Sequence, residues 1–313
     1  MRGVAAAHCG RSRDRRRPAG ARFGPYAARM PSLPAYLGLH AAVALFGLAG
    51  LFGKWLTLPP SAIVVARAAI AALVLAAILA LQRRPFRAHL ALAGNGIVLA
   101  IHWVTFFEAI RVSSVAIGLL GYATFPLFVL ALERFILGRA FSRDRIATAI
   151  LVVAGLAVLL PSVDVHDSTV QGLGWGLVSG FTFALLAVRA RAFAGTYTPT
   201  EIALWQNAFA AAVLVPFAWL GRDAFGAMTL HDAALLAVLG ILCTALAHTL
   251  FIASLHRVSA HAASIVAALE PVYGIALAAW LLGERPALRT LIGAALIVTA
   301  AIVATRRERA AAV

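Results

Sequence analysis

The chain has 313 residues, of which 62% are hydrophobic and 12% charged, with a mean hydropathy of +0.91 and a formal net charge of +15. Soluble domains carry about 25% charged residues, so this composition argues against a soluble globular enzyme and for a chain that lives in a bilayer. The pI near 11.5 calls for no nucleic-acid partner, because the cations gather at the ends of apolar segments, where they orient a membrane protein.

Residues 1–34 form a basic N-terminal tail, Arg- and Ala-rich up to Arg29, with no apolar run long enough for a signal-peptide core. The tail is expected to be disordered. A presequence and a contact with anionic lipid are the other readings of its charge, and Met30 is a second candidate start. Ten apolar segments of about 20 residues follow, at 35–57, 61–82, 88–110, 113–137, 144–163, 171–191, 199–220, 233–256, 260–283 and 287–305, with a short basic tail at 306–313. Pro59-Pro60, Pro161, Pro199 and Pro286 punctuate the intervals. Alanine and leucine lie all round each segment, as in spans rather than surface-lying amphipathic helices.

The third and fourth segments are echoed by the eighth and ninth. His102, Arg111-Val112-Ser113, Pro126 and Leu137-Gly138 return as His248, Arg257-Val258-Ser259, Pro271 and Leu282-Gly283. A displacement of five spans inverts the second copy in the membrane. The sequence therefore predicts an all-α integral membrane protein of ten transmembrane helices in two inverted five-helix repeats, residues 35–163 and 171–305, joined by a linker at 164–170. Arg83, Arg84, Arg87, Arg134, Arg139, Arg143, Arg145, Arg189, Arg191 and Arg257 outnumber Lys54, Arg111, Arg222, Arg285 and Arg289 at the opposite ends. This places both termini in the cytoplasm. Lys54 is the single lysine among 27 cations, a bias consistent with a GC-rich bacterial genome and an inner-membrane location.

Polar residues inside the spans are the candidate site, since a central charge is tolerated mainly toward a cavity or a partner. Glu270, near the middle of the ninth segment, reads either as a cavity-facing group that exchanges a proton with solute movement or as a donor to a carbonyl freed by Pro271. His102 and His248 read as solute or proton contacts, or as satisfied interhelical contacts. Trp103, Tyr122 and Tyr273 suit cavity lining and packing equally, while Trp175 and Trp280 suit interface anchoring. Gln206 and Asn207 point about 100° apart on one helix, so at most one faces a solute directly and the other holds helices together. Pro126 and Pro271 are expected helix breaks. Glu108 and Arg111, with Lys54 and Arg67, read as an outer rim, the first two as an ion pair or a gate. Glu133, Arg134, Arg139, Arg143 and Arg145 read as an inner rim. Gly172, Gly176 and Gly180 form a bare stripe for close packing. Cys9 and Cys243 support neither a disulfide nor a metal site, and no metal or other cofactor is expected.

The segment HWVTFFEAIRVSSVAIGLLGYATFP in the first half, and ALEPVYGIALAAWLLGERP followed by IGAALIV in the second, resemble the EamA-type members of the drug/metabolite transporter superfamily over residues 35–305. The first half departs from the family pattern, with Phe125-Pro126 opposite Glu270-Pro271 and Gly138-Arg139 opposite Gly283-Glu284. The resemblance implies transport of small metabolites, frequently outward, by alternating access. A carboxylate role at the level of Glu270 then falls to the second half alone.

The expected function is secondary active transport of small amino-acid-like, neutral or amphipathic solutes, with protons or another solute for coupling and the lipid bilayer as surroundings. The alternatives are an integral-membrane enzyme or a channel acting on lipophilic substrates. No HExxH, Gly-x-Ser-x-Gly, phosphate loop or DxxD-like cluster supports an enzyme.

Overall fold

A computed structural model describes residues 33–311 apart from 85–88, 138–142, 160–163, 165, 194–195, 221–222, 256, 259–262, 264–265 and 268. The basic tail, Arg139 and the side chains of Glu133, Arg143 and Arg145 lie outside the described residues. All regular elements among the described residues are helices. They are α1 (Leu33–Trp55), α2 (Pro60–Leu81), a short 3-10 turn at Leu90–Leu92, α3 (Ala93–Val112), α4 (Val115–Tyr122), α5 (Phe125–Leu137), α6 (Arg143–Leu159), α7 (Ser168–Phe193), α8 (Pro199–Leu220), α9 (Asp223–Gly226), α10 (Leu230–Gly240), a π-helical stretch at Ile241–Leu246, α11 (Ala247–Leu255), α12 (Glu270–Leu281) and α13 (Leu288–Ala311). Among the described residues, seven stretches are long and apolar enough to cross a membrane; Ile146–Gly155 and Leu288–Ala300 are shorter apolar helices.

Local chemistry sets these ends. Pro60 opens α2 at a position whose amide would have no intrahelical acceptor. Ser114 caps α4 by accepting from Ile117 N–H at 3.2 Å. Thr229 and Asp232 form a reciprocal capping box at α10. In the linker, Asp167 accepts from the Thr169 backbone N–H at 2.7 Å, which holds its carboxyl below the usual carboxylate range. Gly283, at φ +67°, closes α12 and lets Glu284 N–H reach back to Ala278 O at 3.2 Å.

Three elements differ from the expected spans. The fourth segment is not one helix: α4 ends at Tyr122, Ala123 and Thr124 turn, and α5 begins with Phe125-Pro126. In the ninth, a helix begins at Glu270-Pro271, so Glu270 sits in a first turn rather than mid-helix. In both cases the proline is the second helical residue, where its missing amide breaks no ladder; Pro126 and Pro271 start helices rather than kink them. The last helix continues past residue 305 to Ala311, since Ala, Arg and Glu are strong helix formers.

Packing crosses between the halves. α3 lies on α7 and α8, α4 on α7, α2 on α8, α10 and the π-helical stretch, α1 on α11 and α12, and α6 on α13. Two of these seams are made close by glycine. A Cβ at Gly176 of α7 would stand 2.8 Å from the Gly121 Cα of α4, and one at Gly47 of α1 would stand 3.0 Å from the Gly274 N of α12. Large apolar side chains such as Leu73, Leu81, Phe135, Trp219 and Trp280 face outward. Arg67, Asn95, His102, Gln206, Asn207, His248 and Glu270 are buried. This inversion of the soluble pattern suits a lipid surround.

Candidate functional site

Arg67 is the largest fully buried side chain of the described residues, 2% exposed, and arises from α2 about two turns after Pro60. Its Nε donates to Thr244 Oγ1 at 2.8 Å and one terminal nitrogen donates to Cys243 O at 3.2 Å. The guanidinium carbon lies 4.2 Å from the Trp103 ring centroid, a cation–π contact that stabilises a desolvated cation. Both acceptors belong to the π-helical stretch. There the widened turn lets Thr244 Oγ1 donate to Leu239 O, five residues back, at 2.7 Å while accepting from Arg67.

Across from Arg67, the carboxyl group of Glu270 is 3% exposed. Tyr122 and Arg67 line the cavity beside it and are the polar groups that act on it. Its Oε2 has no hydrogen-bond partner. Arg67 and Glu270 do not close into a direct ion pair. The two lie instead around a cavity of about 30 Å³, lined by both of them and by Phe46, Ala49, Leu99, His102, Trp103, Phe106, Tyr122, Phe183 and His248. That volume admits water-sized occupants. A bound metabolite needs roughly 300 Å³ or more, so the cavity as it stands is too small to hold one.

The two histidines present different faces to the cavity. His102 Nδ1 lies 3.0 Å from Ser179 O and 2.9 Å from Ser179 Oγ on α7. A carbonyl only accepts, so Nδ1 carries the proton of the neutral ring and Nε2 is an acceptor. His248 Nδ1 lies 3.2 Å from Asn207 Nδ2, and the same amide nitrogen donates to Ala203 O at 2.8 Å, which fixes the amide orientation. Here Nδ1 accepts and Nε2 carries the proton. Both histidines are therefore interhelical contacts and cavity walls at once.

Of the residues singled out from sequence, Glu270, His102, His248, Trp103 and Tyr122 come together around this cavity. Tyr273, Gln206 and Asn207 do not line it. Tyr273 packs against Gly47, Gln206 is buried at the α3–α8 seam, and Asn207 orients His248 from behind. Gln206 and Asn207 are adjacent on one helix and both buried; Asn207 contacts His248, and neither lines the cavity. Pro126 and Pro271 serve as helix starts beside the site. Glu108 and Arg111 form an exposed bidentate ion pair at 2.9 and 2.7 Å and are not among the residues that line the cavity. At the same end, Lys54 Nζ donates to Ser113 O at 2.8 Å and Glu284 Oε1 accepts from Val115 N–H at 3.1 Å. Glu284 thus ties the α12–α13 connection to the N-terminus of α4.

Arg67 is the residue that the sequence reading misplaced at the rim. Its signal was present: a lone arginine two turns inside an apolar span is expensive unless it faces a cavity or partner. The π-helical stretch that receives it has no comparable signature in ILCTAL.

The sequence profile of the EamA-like transporter family matches residues 33–160 and again residues 170–306, and the chain belongs to that family. It is 27% identical over 209 residues to the "Uncharacterized transporter YxxF" of Bacillus subtilis, a match that covers 64% of this chain and 65% of the relative, less than two thirds of that relative's length. An "Uncharacterized transporter" of Archaeoglobus fulgidus is 26% identical over 203 residues, covering 64% of this chain and 71% of its own. A solved crystal structure, described as "Crystal structure of protein", shares the fold with a TM-score of 0.65 at 21% identity, over 88% of this chain and 99% of that one. Family and apolar helices together make the chain an integral membrane protein.

Proposed function

We propose that this member of the EamA-like transporter family is a secondary active carrier of small, amino-acid-like solutes, working by alternating access at a cavity between two inverted five-helix repeats. The observation that carries the reading is the closed cavity itself, where a buried cation, a buried carboxyl group and two histidines meet without pairing off.

Helix packing supports the two-repeat arrangement at residues 35–163 and 171–305, with 164–170 as linker. Counting spans, a contact between members of the two halves has a counterpart when each is moved five spans on. α3 on α7 matches α1 on α11, α4 on α7 matches α1 on α12, and α3 on α8 matches α2 on the α10–α11 segment. The contacts of α2 with α8 and of α6 with α13 map onto themselves. Such an exchange is what a pseudo-two-fold axis in the membrane plane produces. The loop cations favour cytoplasmic termini and a bacterial inner membrane, and the family resemblance favours export.

In this mechanism Glu270 takes up and releases a proton as solute leaves and enters, so that a proton gradient drives accumulation. The helix starts at Phe125 and Glu270 and the π-helical stretch are the places where the walls have least ladder bonding to break. Opening there would enlarge a cavity now of water size.

Purified protein in vesicles, tested for uptake of a metabolite panel with and without a pH gradient, is expected to show saturable uptake of amino-acid-like solutes that the gradient enhances. Absence of saturable uptake for the whole panel, from protein that remains monodisperse, would overturn the carrier reading.

A further inference from the structure

We infer that Arg67 and Glu270 are the two poles of a zwitterion site, Arg67 receiving the solute's carboxylate and Glu270 its ammonium group. The inference rests on the carrier reading above and adds to it the charge form of the solute and a residue that binds it.

Three observations lead there. The guanidinium of Arg67 is bound along one edge only, by Thr244 and the Cys243 carbonyl, and stacks on Trp103. This leaves the rest of a planar donor fork, the geometry that matches a carboxylate, on a residue that lines the cavity. Glu270 lines the same cavity and has a buried oxygen with no partner. An unpartnered buried acceptor is costly unless an occupant satisfies it at some stage of the cycle. The two groups also line one cavity without closing into an ion pair.

Charge balance selects the ligand class. With Glu270 ionised, the form in which it receives solute in the mechanism above, the site sets one buried cation against one buried anion. An anionic solute would leave a net negative charge in a chamber walled by Phe46, Phe106 and Phe183, and a cationic solute a net positive one. Burying an uncompensated charge is heavily penalised. A zwitterion alone keeps the chamber neutral while giving each pole its partner. The aromatic walls then take the solute's apolar portion.

The test uses the full chain in proteoliposomes. Counterflow is measured for the twenty standard L-amino acids, for their N-acetyl derivatives, which keep only the carboxylate, and for their amides, which keep only the ammonium group. The expected result is that the best amino acid exchanges at least tenfold more efficiently than either of its derivatives. In Glu270→Gln the penalty on the N-acetyl derivative should shrink, and in Arg67→Gln the penalty on the amide should shrink, while Arg67→Lys keeps the preference for the zwitterion. Equal exchange of an amino acid and either derivative by the unmodified protein overturns the inference whether or not the variants fold. Saturable counterflow of other solutes with none for amino acids also overturns it and leaves the carrier reading standing; no saturable counterflow for any solute removes both.

Discussion

Glu270→Gln is expected to abolish accumulation driven by a pH gradient while leaving solute exchange at equal pH in place. Glutamine matches the protonated carboxyl group in size and keeps a carbonyl oxygen that can accept from an ammonium group, but it does not titrate. The variant should therefore bind solute, more weakly, and open and close around it, without the proton step that links solute to the gradient. The surroundings make this the residue to test: its neighbours across the cavity are Tyr122, Arg67, His102 and His248, and of the described carboxyl groups it is the one that lines the cavity. If Glu270 is instead a structural donor, Gln should be silent under the gradient as well, and Glu270→Ala should destabilise the fold by about 1–3 kcal/mol through a lost buried hydrogen bond. Full gradient-driven accumulation by the Gln variant would remove proton coupling from Glu270 and turn attention to the two histidines.

Gly176→Val is expected to remove most of the folded protein. A Cβ at Gly176 would lie 2.8 Å from Gly121 Cα, 3.0 Å from Gly121 C and 3.1 Å from Tyr122 N, all of them backbone atoms that no rotamer change can move. Relief requires α4 and α7 to separate, and overpacking of this kind costs about 1–3 kcal/mol and occasionally more. The damage would reach the site directly, because Tyr122, the next residue along α4, lines the cavity together with Glu270. Gly174 on the same helix is the control: a Cβ there meets nothing within 4 Å, so Gly174→Ala should leave thermal unfolding unchanged. Monodispersity and thermal unfolding in detergent read both variants. Equal melting of Gly176→Val and the unmodified protein would show that these helices do not touch at the glycine seam.

The sequence reading succeeded where the signal was periodic or costly. Apolar runs of span length marked apolar helices, prolines marked some of their ends, and the expense of a buried carboxyl or imidazole singled out Glu270, His102 and His248, all of them buried around one cavity. It failed where the answer depended on which face a residue presents. Tyr273 and Tyr122 look alike in composition, yet Tyr122 meets the cavity and Tyr273 meets Gly47. Distance along a span likewise misplaced Arg67: counted from its segment start it is near the rim, but the π-helical stretch and the Trp103 face receive it inside. The break between α4 and α5 was only half legible, since Pro126 announced an interruption but not that Ala123 and Thr124 would form the turn before it. Gln206 and Asn207 are legible as polar groups in an apolar helix; that neither lines the cavity and that Asn207 meets His248 are tertiary facts.

The central claim is that the second half is the first half inverted, and the repeated Arg-Val-Ser anchors test it most directly. Arg111 and Arg257 are both exposed, and the Glu108–Arg111 pair is a surface ion pair worth about 1 kcal/mol or less, so either arginine can be replaced at little cost. In a background lacking Cys9 and Cys243, Arg111→Cys and Arg257→Cys are each exposed to a membrane-impermeant thiol reagent in intact cells and in inverted vesicles. The inverted-repeat arrangement predicts labelling of Arg111→Cys from outside only and of Arg257→Cys from inside only. Labelling of both from the same face would contradict it.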